Sequence, residues 1–318
     1  MTAVSAIVVT HRGGPRLDAC LRALRTALDR LEEPSELVLV DNAWGGEPPA
    51  GVGARVLRES ENHGFAGGVV GGLAASEGDW ALLVNDDAEL EPDALVALLA
   101  AARTAEDVGA ATGQVRFHAH RDVINSAGME LDRLGIPFDR LAGTPATAGG
   151  PPQEVFGASG CVVLYRRAML DAIGGFDASF FAYYEDADVA WRARMAGWRC
   201  LYVPAAVAYH HGSATAGEGS ARKYFLVGRN RMRLLARHAT TGQLVRWGWA
   251  MLLYDVAYVV FAGLSDRTLA PLRGRAAGLR EWRGQRRTGA GRRAVELAPP
   301  SGPLGAWRQR AAYRRGAG

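Results

Sequence analysis

The stretch that most constrains this chain is Ala81-Leu82-Leu83-Val84-Asn85-Asp86-Asp87. Four consecutive apolar residues describe a strand buried on both faces. The three polar residues that follow cannot remain inside, because an unpaired buried carboxylate is prohibitively costly. The chain must therefore surface at the carboxyl edge of a sheet, which is where open α/β sheets bind ligands. Residues two apart in an extended chain point the same way, so Asn85 and Asp87 can face one site. Amide and carboxylate oxygens suit a hard divalent cation shared with a phosphate. A plain strand, turn and helix cap explains the same three residues, and on this stretch alone both readings stand.

The rest of the chain repeats this pattern. Ser5-Ala6-Ile7-Val8-Val9 reads as a strand and ends at Thr10-His11-Arg12-Gly13-Gly14-Pro15. Leu17, Cys20, Leu21, Leu24 and Leu28 then recur at helical spacing, and Glu36 to Val40 gives a second strand ending at Asp41-Asn42. A β-α-β start implies a parallel pair joined by a crossover helix. A third strand over Val52 to Glu59 leads to Asn62-His63-Gly64-Phe65-Ala66-Gly67-Gly68. Four polar clusters thus follow strands, and in a parallel sheet they share one edge. A carboxylate, glycines that let backbone approach a ligand and a metal site together suit a nucleotide diphosphate. Neither GxxxxGK[ST] nor GxGxxG is present, which removes support for kinases and dinucleotide enzymes.

The second half is expected to cross the surface as an irregular loop from His118 to Glu154. A strand over Trp198 to Val203 is expected to be capped by Pro204, followed by a strand-like run from Val203 to Tyr209 and then His210-His211. Adjacent histidines on an extended chain point to opposite sides, so one at most faces a given site. The aromatic run Phe180-Phe181-Ala182-Tyr183-Tyr184 precedes Glu185-Asp186-Ala187-Asp188, where a carboxylate can serve as general base or simply complement a helix dipole.

Charge divides the chain. From Ser265 onward there are 13 arginines and 3 acidic residues, which leaves 24 Lys+Arg and 30 Asp+Glu before it. An acidic body argues against nucleic acid as partner, and a basic tail suits an anionic membrane surface or simply a solvated terminus. Trp247 to Leu264 carries one charge, Asp255, and its tryptophans and tyrosines favour a helix lying at a membrane interface or packed on the protein. After Gly284 the composition predicts disorder. Three scattered cysteines predict a reducing cytoplasm, and the N-terminus lacks the charge and apolar pattern of a signal peptide.

These motifs together resemble a family 2 glycosyltransferase of the GT-A fold, rhamnosyltransferase-like. The resemblance rests on Ala6 to Thr10, Val38 to Asn42, Asn62 to Gly68, Leu83 to Asp87, Gly174-Gly175-Phe176-Asp177, Tyr184 to Asp188, His210-His211 and Arg229-Asn230. It implies a Rossmann-like, mostly parallel sheet flanked by helices over 1–215. A C-terminal helical region, membrane-interfacial, follows over 216–264, and then a flexible Arg-rich tail over 265–318. It also implies an inverting transfer from a dTDP- or UDP-sugar to a cell-envelope glycan or lipid-linked acceptor, with L-rhamnose as the sugar and Mg or Mn as cofactor. The enzyme would work in the cytoplasm, on the inner face of the plasma membrane.

By match, Asp186 is the base. Asp87 and His210 are metal ligands, with His211 the second choice. Thr10, Arg12, Asp41, Asn62, Gly67, Asn85 and Asp86 hold the donor nucleotide. Glu185, Trp191 and Arg192 lie on the acceptor side. The resemblance departs at Val70, where related sequences commonly carry asparagine. A non-catalytic nucleotide-sugar-binding scaffold and a nucleotidyltransferase are the competing functions.

Overall fold

The computed structural model describes residues 2–212, 220–289 and 293–300. The chain runs β1 (Val4–Thr10), α1 (Pro15–Leu28), β2 (Ser35–Asn42), β3 (Ala54–Glu59), α2 (Gly64–Ala74), β4 (Trp80–Asn85), β5 (Ala88–Leu90) and α3 (Ala94–Ala102). It continues through β6 (Val108–Phe117), β7 (Ile124–Ser126), β8 (Met129–Leu131), β9 (Pro137–Asp139), β10 (Gln153–Val155), β11 (Val162–Arg166) and α4 (Arg167–Ile173). The last elements are α5 (Glu185–Met195), β12 (Arg199–His210), α6 (Ala221–His238), α7 (Thr241–Ser265) and α8 (Ala270–Thr288).

The main sheet has the order β10-β12-β6-β11-β4-β1-β2-β3, with β5 on β12 and β7 on β6. β1 pairs in parallel with both β2 and β4. The chain order reverses around β1, which opens a crevice at the carboxyl ends of these strands. Register fixes what lines it: Thr10 lies opposite Asp41, and Val9 opposite Asn85. The strands alternate between two apolar layers. Val4, Ala6, Val8, Leu82 and Val84 pack with α1 and α3, while Ile7, Leu83 and Val40 pack on the opposite side with α2 and α4. Each such leucine or isoleucine contributes about 1.5–3 kcal/mol by burial.

The crossover helix α2 lies unusually close to β1. A Cβ at Gly68 would stand 2.4 Å from Val9 Cγ1, and one at Gly72 would stand 2.5 Å from Ile7 Cγ2. These glycines therefore serve helix–sheet packing, where the sequence suggests ligand approach.

Three other expectations are corrected. The stretch from His118 to Glu154 is no surface loop: it holds β7, β8 and β9, and it buries Ile124, Ala127, Met129 and Leu131. Its strands are three residues each, too short to show periodicity. Pro204 does not end a strand. β12 runs on to His210, with a register shift between Val203 and Val207 that accommodates the proline.

The flexible tail expected from residue 265 is corrected over its first part, because Ala270–Thr288 is helix α8 lying against α6. Its glycines let the two backbones meet: a Cβ at Gly274 would fall 2.1 Å from Phe225 O, and one at Gly278 would fall 2.5 Å from Arg229 O. Arg275 and Arg231 each reach Asp255 Oδ1 of α7 at 2.8 Å, so three helices converge on one buried carboxylate. Residues 301–318 lie outside the described residues.

α6 also grips the loop that leads into α5. Phe181, Tyr183 and Tyr184 adopt φ of 66°, 70° and 73°, a region costly for aromatic residues. Asn230, fully buried, holds them there. Its Nδ2 donates to Phe180 O, Ala182 O and Tyr183 O at 2.9, 2.9 and 2.7 Å, two hydrogens shared among three carbonyls. Arg229 Nε donates to Asn230 Oδ1 at 3.0 Å and fixes the amide's orientation. Further along, Asp188 of α5 accepts from Arg192 and His238 at 2.6 and 2.8 Å. Burial alone would raise this carboxyl, but His238 and Arg192 outweigh it and hold it far below the usual value.

Replacing Asn230 by alanine leaves those buried carbonyls short of donors. Urea denaturation of Asn230→Ala is expected to show a loss of about 1–3 kcal/mol. A wild-type midpoint and slope would contradict the clamp.

Candidate active site

The strand β4 delivers Asn85, Asp86 and Asp87 to the crevice. Asp86 Oδ2 accepts from Thr10 Oγ1 at 2.6 Å, which ties the ends of β1 and β4 together. Burial raises the Asp86 carboxyl above its ordinary value. Asp87 is buried, and its Oδ1 lies 3.1 Å from His210 Nε2. Burial on its own would raise the Asp87 pKa. The hydrogen bond and charge of His210 more than offset that and lower it. Burial likewise disfavours the His210 imidazolium, but Cys161 and Asp87 reverse the effect and lift its pKa well above 6.5.

The other ring nitrogen, His210 Nδ1, lies 3.1 Å from Asn125 Oδ1 on β7. Asn125 thereby orients the ring so that Nε2 faces Asp87, the arrangement expected behind a metal-ligating histidine. Nothing in the sequence pattern singled out Asn125, because it lies in a three-residue strand far from any motif.

The Asp87–His210 pair fits a divalent cation. Neighbouring ligands around a six-coordinate ion with bonds of about 2.1 Å stand about 3 Å apart. That is the spacing between the Asp87 carboxylate oxygen and the His210 nitrogen.

His211 turns the other way, as alternation demands. Its Nε2 lies 3.3 Å from Glu89 Oε1, the same oxygen that His118 Nε2 approaches at 3.3 Å. The His118 and His211 rings stack at 3.7 Å. Glu89, His118 and His211 thus form a second group with ligand atoms within 4.8 Å of one another.

Asp186 opens α5, and its position comes from the loop before β11. Gly160 N–H donates to Asp186 Oδ2 at 3.2 Å, and Ala187 N–H donates to Oδ1 at 2.7 Å. The next residue, Cys161, accepts from Asn85 N–H at 2.9 Å through its carbonyl, and its sulfur contacts His210. One two-residue step, Gly160-Cys161, therefore touches Asn85, His210 and Asp186 together. In the sequence it appears only as an interruption of an apolar run. A Cβ at Gly160 would lie 3.4 Å from the Phe65 ring, so the glycine loop also borders Asp186. The same loop meets the aromatic run: Ala66 N–H donates to Phe181 O at 3.0 Å, and a Cβ on Gly64 would stand 2.2 Å from that oxygen.

Burial raises the pKa of Asp186 to about 6, despite the two backbone donors. Glu185, buried beside it with Oε2 unpartnered, is raised further, by burial and then by the Asp186 charge. Two backbone N–H donors favour the charged form of Asp186, and Glu185 has no comparable donors at its unpartnered Oε2.

The remaining sequence-predicted residues divide. Thr10 and Arg12 lie at the end of β1 and in the turn after it, with Arg12 exposed. Asp41 is buried, and its oxygens accept from Trp44 N–H, Gly45 N–H and Arg58, so much of its capacity anchors the loop after β2. Trp44, absent from the sequence reading, lies over the Gly13 turn, where an added Cβ would fall 2.0 Å from its ring. Asn62 Oδ1 accepts from Asn42 Nδ2 and Gly64 N–H, a brace within the loop. Gly67 sits against His63 Cβ. Asn85's side chain is half-buried at the crevice. Val70 is 37% exposed on α2.

Trp191 and Arg192 are engaged within the protein, away from the Asp186 side of α5. Trp191 is 1% exposed, edge-on to Phe156 and against His238. Arg192 binds Asp188 and Ile173 O. Five residues past Asp186, Trp191 points about 140° away around the helix.

Comparison with known proteins agrees with this architecture. The sequence profile described as "Glycosyltransferase like family 2" matches residues 4–234. The chain is 31% identical over 250 residues to an N-acetylglucosaminyl-diphospho-decaprenol L-rhamnosyltransferase of Mycobacterium tuberculosis, covering 70% of this chain and 80% of that one. Among solved structures, GalNAc-T7 with UDP, GalNAc and Mn2+ superposes with a TM-score of 0.59 at 14% identity. That match covers 76% of this chain and 48% of GalNAc-T7, so the chain spans about half of that protein. The mannosyltransferase PcManGT of Pyrobaculum calidifontis, in complex with GDP-Man and Mn2+, gives a TM-score of 0.50 at 17% identity, covering 99% of this chain and 82% of its own. The fold is thus GT-A, and the chain belongs to glycosyltransferase family 2 and is a glycosyltransferase.

Proposed function

We propose that this glycosyltransferase moves a sugar, L-rhamnose, from a dTDP- or UDP-linked donor to a lipid-linked or cell-envelope glycan acceptor, with inversion and with Mg or Mn bound. The observation that carries the reading is the arrangement around Gly160-Cys161. It puts a cation-suited pair, Asp87 and His210, within one backbone step of a carboxylate tuned to accept a proton. Rhamnose and the lipid-linked acceptor are inferred from the mycobacterial relative's activity.

In this reading Asp87 and His210 hold the ion, with Asn125 fixing the imidazole. The ion, when bound, supplies charge neutralisation for the departing diphosphate. Thr10, Arg12, Asn85 and Asp86 border the donor side of the crevice. Gly160 and Ala187 N–H groups orient the Asp186 carboxylate, which takes the proton of the attacking acceptor hydroxyl. Its raised pKa matches that task better than an ordinary aspartate would. Glu185 stays protonated beside it and adds no competing charge. α7 exposes an apolar face, which supports a position on the inner face of the cytoplasmic membrane.

Release of nucleoside diphosphate from a panel of sugar nucleotides, with Mn2+ or with chelator, tests donor and metal together. Turnover with dTDP-rhamnose that depends on Mn2+ or Mg2+ and is lost in His210→Ala is expected. Metal-independent turnover would remove the cation from the account. Asp186→Asn should lower kcat by about 10²–10⁴-fold while donor affinity stays within a few-fold; near-native turnover would reassign the base.

A base works only when deprotonated. The rate should therefore fall as pH drops through about 6, where Asp186 protonates. An acid limb at the ordinary aspartate value of about 4 would contradict its burial-driven shift.

A further inference from the structure

A cavity of about 340 Å³ lies away from the catalytic crevice, on the far side of α5. It is bounded by Trp191, His238, the first turn of α7 (Thr240 to Gln243) and the returning C-terminal segment Arg293 to Leu297. That segment is held in place by Ala298, whose N–H and carbonyl bond to Leu131 O and Arg133 N–H.

Three arginines line the cavity, Arg133, Arg246 and Arg293, against one carboxylate, Glu296. None of the three forms an ion pair among the described residues. Arg133 and Arg246 instead stand over the Trp247 ring, at 6.0 and 5.6 Å.

Other donors are also left open. Thr240 Oγ1 caps Gln243 N–H, but the neighbouring first-turn N–H groups of this 25-residue helix have no intrahelical acceptor, and its dipole favours an anion there. Trp191 Nε1 is buried without a partner, while His238 Nε2 is committed to Asp188. Three unpaired arginines, open N–H groups at a helix start and the buried Trp191 N–H, converging on one cavity, suit an oxyanion.

What adjoins the cavity indicates where the anion comes from. α7 starts at the cavity and leaves one face open along its length. Val245, Trp249, Leu252, Leu253, Val256, Val260 and Leu264 are between 52% and 80% exposed. They recur at spacings of three and four, so they form one stripe. The opposite face is packed: Met251 and Tyr254 join a core with Met232 and Leu235, and Asp255 is buried against two arginines. A helix long and apolar enough to cross a membrane, yet packed on one side by α6 and α8 and bare on the other, suits a position along a membrane surface.

We propose that the cavity binds the phosphate of an anionic membrane phospholipid while the acyl chains of that leaflet cover the open stripe of α7. Arg133, Arg246 and Arg293 neutralise the phosphate, and the α7 N-terminus and the Trp191 N–H donate to it. The assignment rests on the reading of α7 as membrane-facing and is independent of donor and acceptor identity. Because Trp191 sits on the same helix as Asp186, about 7.5 Å further along, a lipid held here would also fix the height of the base above the bilayer.

Vesicle flotation of the full chain tests this. Binding to phosphatidylglycerol-containing vesicles should exceed binding to pure phosphatidylcholine by about ten-fold or more. The double variant Arg246→Gln/Arg293→Gln should lose that preference yet keep its metal-dependent donor turnover in solution, which separates this proposal from the catalytic one. Trp191→Phe, which keeps the ring and removes the N–H, should weaken the preference in the same direction. Three outcomes would overturn the proposal. One is equal binding to both vesicles. A second is an unchanged preference in the double variant. The third is a stable dimer in solution that floats with neither vesicle, which would assign the α7 stripe to a second copy. A tryptophan fluorescence change with inorganic phosphate alone, abolished by the double variant and without any lipid preference, would make the cavity a soluble-phosphate site and equally overturn the lipid assignment.

Discussion

The backbone step Gly160-Cys161 is the constraint on which the site depends. Its amide hydrogen holds Asp186, and its neighbouring carbonyl holds the end of the strand that carries Asp87. Two acids from segments a hundred residues apart are thereby tied to the same two residues of backbone. Glycosyl transfer with inversion needs such separation, because the leaving diphosphate and the attacking hydroxyl occupy opposite faces of the sugar. Gly160 borders both Phe65 and Asp186, which an added Cβ would meet at ordinary contact distance, 3.4 and 4.0 Å.

The acids are placed from opposite directions, and the forces differ. At the carboxyl edge of the sheet the parallel strands do the placing: β1, β2 and β4 end in register, so Thr10, Asp41 and Asn85 share one rim. Around Asp186 there is no sheet to rely on. The aromatic loop enters α5 through three left-handed residues, and α6 supplies the compensating bonds through Asn230 and through His238 on Asp188. α8 and α7 then brace α6 around Asp255. The C-terminal helices are therefore part of how Asp186 is held.

Much of this was legible in the sequence, and what was legible had a physical cause. Buried parallel strands announce themselves as apolar runs, and polar residues after such runs must emerge at one edge. The opposition of His210 and His211 follows from strand alternation alone. What escaped was set by tertiary contact. Asn125 orients His210 from a three-residue strand with no pattern of its own. Trp191 and Arg192 share a helix with Asp186, yet their places on its circumference turn Trp191 into the core and Arg192 onto Asp188. The glycines after His63 look made for a phosphate, but Gly68 and Gly72 let α2 settle onto Val9 and Ile7. In α8, arginines and glycines that suggest a solvated tail instead permit close helix packing and a buried ion pair, because composition carries no information about which backbone lies opposite.

The central claim is that Asp87 and His210 share one cation beside the base. Crystals grown with nucleoside diphosphate and Mn2+, examined by anomalous diffraction at the manganese edge, address it directly. The account predicts one peak bonded to an Asp87 carboxylate oxygen and to His210 Nε2. A peak bonded instead to Glu89, His118 and His211, with the Asp87–His210 contact intact, would contradict it.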